Sequence, residues 1–469
     1  MRQILLVCFV FWSLLVNGQS YHLYGETTIG GINNDGVLFN FNPVTCKDSV
    51  LFSFNGTDGN TASRSLVLES DSILLGSSEY GGVKNQGVLF RYNLLTGKED
   101  SVTSFMGLNG ANPFGGLVKA SNGLFYGGTG RGGVYNAGEI FSYNSLLNQY
   151  NVLYSFNDTD GFVLYGSLLQ IGDSLLYGIT TEGGAFNVGI IFNYNILTNK
   201  ENVLLDFNNT NGKYSQSSLI LGQDGLLYGM TEEGGTKNDG TLFSFDTKTL
   251  TEKVLVDFDS LNGSFPFGDL MQTSDGLMYG LTSSGGFNND GVLFSFNPVT
   301  SKDTVLLQIG TLNGAWYPSG NLIEDTLNQI LYGMAQRGGV FNHGVIFSYN
   351  LKTGKDSLLF NFNGANGSTP DGSLLLIYDK PTGIQELVKS KQITVFPNPS
   401  KGLFTFQLHG VNESTKIQIY NILGEIVYEQ EFIDEKAAVD LRSLSKDLYL
   451  YRASNKSGDL NAYGKIIIQ

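Results

Sequence analysis

A glycine-rich segment, GTGRGG at residues 128–133, has the GxGxxG spacing of loops that bind the pyrophosphate of a dinucleotide. Such a loop works only when it leads into a helix, because the N–H groups of the helix N-terminus bind the phosphates. The residues that follow, VYNAGEIFSYN, have the pattern of a strand and not of a helix. We therefore interpret the segment as a turn and predict no nucleotide or other cofactor.

Residues that could bind a metal ion are few and scattered. NDTDG at residues 157–161 has two carboxylates that could bind calcium. The equivalent segments are NNTNG, which has no acid, and DSLNG, which has one, so the acids are not a repeated ligand set and a turn is favoured. His22, His343 and His409 lie far apart, and Cys46 is the one cysteine beyond the N-terminal segment, so no zinc-ligand spacing is present. We predict no metal site.

Carboxyl groups could also carry acid–base chemistry on a glycan, which needs two of them about 5–10 Å apart. The nearest candidates are Glu79, Glu182, Glu232 and Glu233, and they belong to different copies of a repeated unit. No nucleophile-elbow motif is present. We predict that the protein is not an enzyme, with a glycan hydrolase or lyase as the alternative.

The elements that position these residues are repeated. Seven stretches share the pattern GGxxNxGxxF, and the first glycine of each falls at residues 30, 81, 132, 183, 234, 285 and 338. Residues 268–309 divide into four strand-like segments, GDLMQT, GLMYGLTS, GVLFSFN and DTVLLQI, which we name strands A to D. Four strands at a period of 51 residues indicate the blade of a β-propeller.

The two ends of the repeat array indicate a closed ring. The first copy begins at strand B, YHLYGET (21–27), and the last copy is followed by an extra strand A, GSLLLIYD (372–379). Pairing of these segments would complete a seventh blade and leave no open sheet edge. The sequence thus predicts an all-β protein whose residues 19–380 form a seven-bladed β-propeller, closed by a C-terminal inner strand.

Glycine and asparagine recur at fixed points of the loop between strands B and C. Both residue types adopt positive φ angles at low cost, whereas the left-handed conformation costs other residues roughly 1–2 kcal/mol. We therefore attribute the identity among copies to turn geometry. The recurring asparagines are Asn34, Asn85, Asn136, Asn187, Asn238, Asn289 and Asn342.

Residues that differ between the copies are the candidates for ligand binding. The B–C and D–A loops leave the same face of a propeller, where exposed aromatic side chains could stack on sugars or peptides. The alternative is that these side chains pack between blades. The ligand candidates on this face are Tyr80, Arg131, Tyr135, Trp316, Tyr317 and Arg337.

Residues 1–18 have the pattern of a secretory signal peptide, with Arg2 before an apolar run and small residues near the end. The run is about 13 residues, too short to span a bilayer, and no later segment is longer, so we expect no transmembrane anchor. Residues 381–469 hold ten basic and ten acidic residues, so the net charge of −15 falls on the rest of the chain. An acidic surface repels phosphate backbones, which argues against a nucleic-acid partner.

The repeat unit LYGxTxxGGxxNxGxxF resembles the GloVer repeat of bacterial exported proteins, over residues 21–380. That resemblance implies a propeller-like exported protein with a C-terminal sorting or anchoring signal. It implies no particular ligand or activity.

The 51-residue period ends before a predicted linker at residues 381–392, and the short strands after it predict a small β-sandwich over residues 393–469. This segment resembles the type A C-terminal sorting domain of the type IX secretion system of Bacteroidetes. Sorting domains of this type usually have a glycine before the late strand that carries the tyrosines, here Tyr449 and Tyr451. This chain has Asp447 at that place, so the turn departs from the family pattern. The matching residues are Pro397, Asn398, Pro399, Gly402, Gly424, Tyr449, Arg452 and Lys465.

The resemblance to a sorting domain implies the type IX secretion machinery as a partner, with removal or anchoring of the domain after passage through the outer membrane. The sequence as a whole therefore predicts a secreted or cell-surface protein that reaches its place through the periplasm. We expect it to act as a binding or structural module for an extracellular glycan or protein. A glycan-active enzyme on the same scaffold is the alternative.

Overall fold

The computed structural model describes residues 20–62, 65–379, 393–408, 414–421, 425–455 and 461–469. These residues fall into two compact units, one of Ser20–Tyr378 and the other within Asp379–Gln469. The predicted signal peptide (1–18), the predicted linker (381–392), His409 and Gly424 lie outside the described residues.

The unit of Ser20–Tyr378 is built from strands that follow the repeat copy by copy. The first three copies contain β1 (Tyr21–Ile29), β2 (Val37–Asn42) and β3 (Lys47–Ser53); β4 (Asn60–Ala62), β5 (Val67–Ser70), β6 (Ile73–Tyr80), β7 (Val88–Asn93) and β8 (Lys98–Ser104); and β9 (Val118–Lys119), β10 (Phe125–Gly128), β11 (Glu139–Asn144) and β12 (Gln149–Ser155). The fourth and fifth contain β13 (Phe162–Leu164), β14 (Leu169–Ile171), β15 (Leu175–Glu182), β16 (Ile190–Asn195) and β17 (Lys200–Asp206); and β18 (Ile220–Leu221), β19 (Leu227–Thr231), β20 (Thr241–Asp246) and β21 (Thr251–Asp257).

The last two copies follow the same order. They contain β22 (Ser264–Pro266), β23 (Met271–Gln272), β24 (Met278–Ser284), β25 (Val292–Asn297) and β26 (Lys302–Gln308); and, after a 3₁₀ turn (Ile309–Thr311), β27 (Trp316–Pro318), β28 (Ile323–Asp325), β29 (Ile330–Arg337), β30 (Val345–Asn350) and β31 (Lys355–Asn361). A final strand, β32 (Ser368–Tyr378), ends the unit.

Each copy forms its own antiparallel sheet, and we number the sheets 1 to 7 after the copies. In sheets 2 to 7 the chain runs outward from the inner segments, through the B and C strands, to a D strand such as β8 or β31. Sheet 1 has the order β3-β2-β1-β32 and so combines strands from both ends of the unit. Its register joins Tyr21 to Tyr378 and Ile29 to Ser368, so the pairing expected between the two ends is present.

The pattern GDLMQT (268–273) predicted one continuous inner strand A. The structure has two short inner segments instead. In sheet 6 they are β22 and β23, which pair separately with β24. The break follows a left-handed residue, Phe265, with a φ of 53°. Its N–H donates to the carbonyl of Asp239 in the preceding sheet at 2.8 Å. A hydrogen bond between sheets thus holds a conformation that bulky side chains normally avoid.

Apolar side chains fill the space between successive sheets. The third residue after the repeated Asn-x-Gly, such as Phe243 of strand C, is buried. It meets the aromatic ring at the end of the previous D strand, here Phe207, with centroids 5.2 Å apart. The glycine of the LYG motif makes room for this ring, because a Cβ on Gly229 would lie 2.7 Å from Phe243 Cζ. Burial of each such ring contributes roughly 1.5–3 kcal/mol.

Each apolar cluster of the repeat unit lies between two sheets. One cluster joins each sheet to the next along the chain, from sheets 1 and 2 to sheets 6 and 7. A further cluster packs Tyr332 and Met334 of sheet 7 against Tyr21 and Leu23 of sheet 1. Every sheet of this unit is therefore covered on both faces by a neighbouring sheet.

The conserved loop between strands B and C has the predicted turn geometry. In the fifth copy, Gly234, Gly235, Asn238 and Gly240 have φ angles of 93°, 76°, 61° and 99°. The doublet has a second role that the sequence pattern does not reveal, since a Cβ on Gly234 would lie 2.6 Å from the backbone of Gly212 in the D–A loop. The conserved loop is therefore packed against the loop that enters the same sheet.

We predict that Gly235→Val destabilises the protein more than Thr236→Val, by about 1–2 kcal/mol. Gly235 is left-handed, and a Cβ there would lie 2.3 Å from an oxygen of Asp257. The neighbouring Thr236 has an exposed side chain, so it is the matched control. Thermal or denaturant unfolding of the two variants measures the difference, and equal losses would contradict the turn explanation.

The second unit contains two antiparallel sheets around one core. Its strands are β33 (Ile393–Phe396), β34 (Leu403–Leu408), β35 (Thr415–Tyr420), β36 (Ile426–Phe432), β37 (Lys436–Asp440), β38 (Leu448–Asn455) and β39 (Asn461–Ile467). The sheets have the orders β33-β34-β37 and β36-β35-β38-β39. Phe406 and Val439 of the first sheet pack with Ile417 and Ile466 of the second, so the unit is a small β-sandwich.

The predicted sorting-domain residues help to hold the ends of this sandwich together. The side chain of Asn398 donates to the carbonyl of Lys465 at 2.8 Å and accepts from the N–H of Ile467 at 3.0 Å. Gly402 has a φ of 100°, and a Cβ there would lie 2.9 Å from the backbone of Arg442. The Pro397–Pro399 segment and the last strand are therefore fastened to each other.

Candidate functional site

The inner strands of the first unit line one small cavity. Residues at equivalent positions of all seven copies lie in its wall. Each is a small or polar residue that directly precedes a leucine of the inner segment. The cavity has a volume of about 40 Å³, enough for about three water molecules. We call these residues the polar floor, and they are Ser65, Gly116, Ser167, Ser218, Asp269, Asn321 and Ser373.

Hydrogen bonds connect much of the polar floor from sheet to sheet. The N–H of Ser167 donates to Ser218 Oγ at 2.8 Å, and the N–H of Ser218 donates to Asp269 Oδ1 at 2.5 Å. The N–H of Asp269 in turn donates to Asn321 Oδ1 at 2.6 Å. Ser65 and Ser373 of sheets 2 and 1 are 2.9 Å apart at their hydroxyls. Polar side chains therefore bridge neighbouring inner strands around the cavity.

The inner strands also approach one another closely at the position before the polar floor. A Cβ on Gly166 would lie 2.4 Å from the carbonyl oxygen of Ser217, and one on Gly268 would lie 2.2 Å from that of Gly320. A Cβ on Gly320 would lie 1.7 Å from the carbonyl oxygen of Gly372. Glycine is required here because the strands meet backbone to backbone.

Aromatic rings from three copies line the cavity, and two more rings from a fourth copy adjoin them. Phe114 and Tyr165 are stacked with ring centroids 4.8 Å apart, and Phe267 lies 6.0 Å from Tyr165 and 6.2 Å from Tyr317. Trp316 lies 6.5 Å from Tyr317 and has 43 % of its surface exposed. We call these five residues the aromatic cluster. Rings at these separations form one continuous apolar surface.

Two carboxyl groups belong to the same region. Burial raises the pKa of Tyr317, and the charges of Glu232 and Asp371 raise it further. Burial also raises the pKa of Glu232, whose carboxylate accepts a hydrogen bond from the Gln216 amide. Asp371 is only 8 % exposed and lines the cavity, and its Oδ1 accepts from the N–H of Gly372 at 2.9 Å. The cluster is thus flanked by acceptor groups.

The structure brings together part of the predicted ligand-binding set. Trp316 and Tyr317 belong to the aromatic cluster, and Arg337 lies opposite Trp316 in the sheet register. Tyr80 ends β6 with 39 % of its surface exposed, and its pKa is raised by a hydrogen bond to Glu79, by burial, by the charge of Glu79 and by Tyr165. Tyr80 therefore lies on the Tyr165 side of the same region.

Two of the predicted ligand residues have other surroundings. Arg131 packs its guanidinium over the ring of Phe162, 4.6 Å from the centroid. Tyr135 is 64 % exposed at a loop tip, and among the described residues no ring contact joins it to the aromatic cluster. Arg131 thus matches the alternative that these side chains pack between neighbouring sheets.

The remaining candidates for chemistry are engaged locally. Glu233 pairs with Lys213 at 3.0 Å. Asp160 accepts from Tyr154 Oη at 2.6 Å and from the N–H of Asn157 at 2.7 Å, as a turn residue does. No group of three or more His, Cys, Asp or Glu residues is arranged to bind a metal in the part of the chain that the structure describes.

Sequence reasoning missed Phe114, Tyr165 and Phe267. They occupy one position of the repeat, where the fifth, seventh and first sheets carry Gln216, Ser319 and Asp371. Comparison of the copies at this position would have found them, since three aromatic residues stand where other copies have polar ones. Their contact with one another depends on the arrangement of the sheets.

Solved structures with propeller-like folds resemble the first unit. A candidate 6-phosphogluconolactonase of Bacteroides fragilis matches 78 % of this chain and all of its own length, with 15 % identity and a TM-score of 0.51. A hypothetical selenium-binding protein of Sulfolobus tokodaii matches over 76 % of this chain and 92 % of its own, with 9 % identity and a TM-score of 0.52. At these identities the likeness is one of fold alone. No curated protein has significant sequence similarity to the chain.

Two family models match the sequence itself. The Gloeobacter/Verrucomicrobia repeat model matches residues 12–192, 109–275 and 166–387, and the secretion system C-terminal sorting domain model matches residues 394–469. None of the helices in the described residues could cross a membrane. The sorting domain engages the type IX secretion machinery and directs the protein to the cell surface or the extracellular space. The chain belongs to the Gloeobacter/Verrucomicrobia repeat family and ends in a type IX C-terminal sorting domain.

Proposed function

We propose that residues 20–378 form a closed seven-bladed β-propeller that acts outside the cell as a binding module. Support for closure comes from the pairing of β1 with β32 and from the apolar cluster between sheets 7 and 1. The polar floor adds hydrogen bonds between successive inner strands. A ring of this kind holds its central cavity in one shape, which lowers the entropic cost of binding.

The observation that carries the binding role is the aromatic cluster above the polar floor. The seven sheets pack by the same residues, yet Phe114, Tyr165 and Phe267 replace residues that are polar in other copies. Packing of the ring does not require them there. An apolar surface beside a few convergent polar groups is the usual composition of a ligand site.

An array of extracellular glycans and peptides, probed with the exported full-length protein, tests this proposal. We expect Trp316→Ala combined with Tyr317→Ala to abolish binding to the ligands that the wild type retains. Phe287→Ala is the matched control, because this ring is 89 % exposed at a B–C loop tip outside the cluster. Unchanged binding by the double variant, or no binding by the wild type, would refute a binding role for the cavity.

A second candidate function, cleavage of a glycan by a hydrolase or lyase reaction, rests on Glu232 and Asp371. Both carboxyl groups act on Tyr317, and the raised pKa of Glu232 would suit a general acid. Release of reducing ends from labelled polysaccharides tests this. Turnover that is lost in both Glu232→Gln and Asp371→Asn would favour the enzyme, whereas binding without turnover favours the module.

A further inference from the structure

The cavity and its surroundings restrict the chemistry of a ligand, provided that the proposed binding function holds. The floor offers hydroxyl, amide and carboxylate groups, among them Ser218, Asn321 and Asp371. Ser218 Oγ, Asn321 Oδ1 and Asp371 Oδ1 each accept one bond within the protein. The hydrogen-bonding capacity that these groups keep suits hydroxyl and amide groups of a ligand and gives a hydrocarbon nothing to pair with. A lipid or a purely apolar ligand is therefore disfavoured.

The aromatic side chains in the cavity wall favour a ligand that has a flat, apolar face. Phe114, Tyr165 and Phe267 present stacked and edge-on rings beside the polar floor, and Trp316 extends this surface toward solvent. Ligands with one C–H-rich face and a rim of hydroxyl groups match both parts at once, and a pyranose ring has this distribution. The combination points to a saccharide.

Charge restricts the saccharide further. The charged side chains among the described lining residues are carboxylates, and Asp371 is one that is more than nine-tenths buried. Glu232 lies next to Gln216 of the lining. A uronate or a sulfated sugar would bring like charge to these carboxylates, with repulsion strengthened by partial burial. An uncharged saccharide avoids this repulsion.

The size of the cavity restricts how the saccharide enters. About 40 Å³ cannot hold a pyranose ring, but it can hold one exocyclic group such as a hydroxymethyl. Close contacts between inner strands at Gly166, Gly268 and Gly320 leave no room for a chain to pass between them. A terminal sugar residue can meet these limits, whereas a residue in the middle of a chain must leave the site on two sides.

We propose that the cavity binds the terminal residue of an uncharged saccharide chain, with its ring on the aromatic cluster and one exocyclic group on the polar floor beside Asp371. Trp316 then contacts the second sugar residue at the rim.

Calorimetric titration of the full-length exported protein tests this proposal. The probes are linear neutral oligosaccharides of several linkages, cyclic glucans that have no chain ends, oligouronates, and neutral peptides. We expect binding of a linear neutral oligosaccharide and at least tenfold weaker binding of the cyclic and uronate forms. Trp316→Ala and Asp371→Asn should each weaken binding about tenfold, whereas Phe287→Ala leaves it unchanged.

Each other result has a distinct meaning. Equal affinity for cyclic and linear glucans would overturn recognition of a chain end. Tighter binding of uronates or of peptides would overturn the inference while the binding function stands. Binding that Trp316→Ala and Asp371→Asn do not change, with melting temperatures like the wild type, would overturn the cavity as the site. Absence of binding to every probe would count against both the inference and the proposed function.

Discussion

Deletion of residues 393–469 is expected to leave the repeat unit folded inside the periplasm. The deleted segment is the sorting domain, which directs the protein to the cell surface or the extracellular space. A signal peptide takes a chain only through the inner membrane, and a folded unit of this size does not cross the outer membrane unaided. Fractionation and immunoblotting should show the truncated protein shifted almost entirely from the surface and medium to the periplasm.

A point substitution offers a milder form of the same experiment. Gly402→Val should impair secretion, because the left-handed φ of 100° and the backbone of Arg442 exclude a Cβ. Lys401→Val changes the exposed neighbour and serves as its control. The sandwich fused behind a signal peptide and a fluorescent reporter should bring the reporter to the surface. Normal amounts of the deletion protein outside intact cells would contradict the role of the domain in export.

Removal of β32 is expected to cause the largest loss of stability. A chain that ends at Asn363 lacks Leu374, which is 2 % exposed, together with the partly buried Leu375, Leu376 and Ile377 that pack into two clusters. Each buried aliphatic side chain contributes roughly 1.5–3 kcal/mol, so a loss of several kcal/mol follows. The truncation also leaves β1 as an unpaired edge in the first sheet.

A chain that ends at Asp379 is the matched control, since it lacks the sorting domain but keeps β32. We expect it to melt near the temperature of the full-length repeat unit and to stay monomeric. The chain that ends at Asn363 should melt roughly 5 °C lower or more, because a loss of several kcal/mol acts against the large unfolding entropy of a unit of this size. It should also associate through its open edge in analytical ultracentrifugation. If the two chains melt together and are both monomeric, β32 does not close the ring.

Much of the local structure was predictable from the residues themselves. Asn238 and Gly240 are left-handed as expected, because the conformational preferences of glycine and asparagine act within a few residues. Conversely, Phe265 and Val163 are left-handed although their own preferences oppose it, with φ angles of 53° and 60°. Their N–H groups donate to the carbonyls of Asp239 and Ala137 in neighbouring sheets, which stabilises this conformation. No local sequence pattern predicts a hydrogen bond between sheets.

The candidate site was predictable only in part. Trp316 and Tyr317 stand out because they differ from the other copies, and the structure places them in β27 and in the aromatic cluster. Arg131 stands out equally, but it packs on Phe162 instead. The type of a side chain therefore indicated candidates, but it did not show which neighbouring residue each candidate contacts.

By itself, the sequence determined the repeat, its strands B to D, its turns, the family and the export of the protein, because these depend on spacing and on local preference. Only the tertiary structure decided which rings meet. Phe114, Tyr165 and Phe267 are separated by 51 and 102 residues, a spacing that makes them equivalent in three copies but says nothing of their distance. They lie 4.8 and 6.0 Å apart because the sheets pack in sequence around one cavity and bring their inner strands together. Distance is a property of that packing, to which residues throughout the chain contribute.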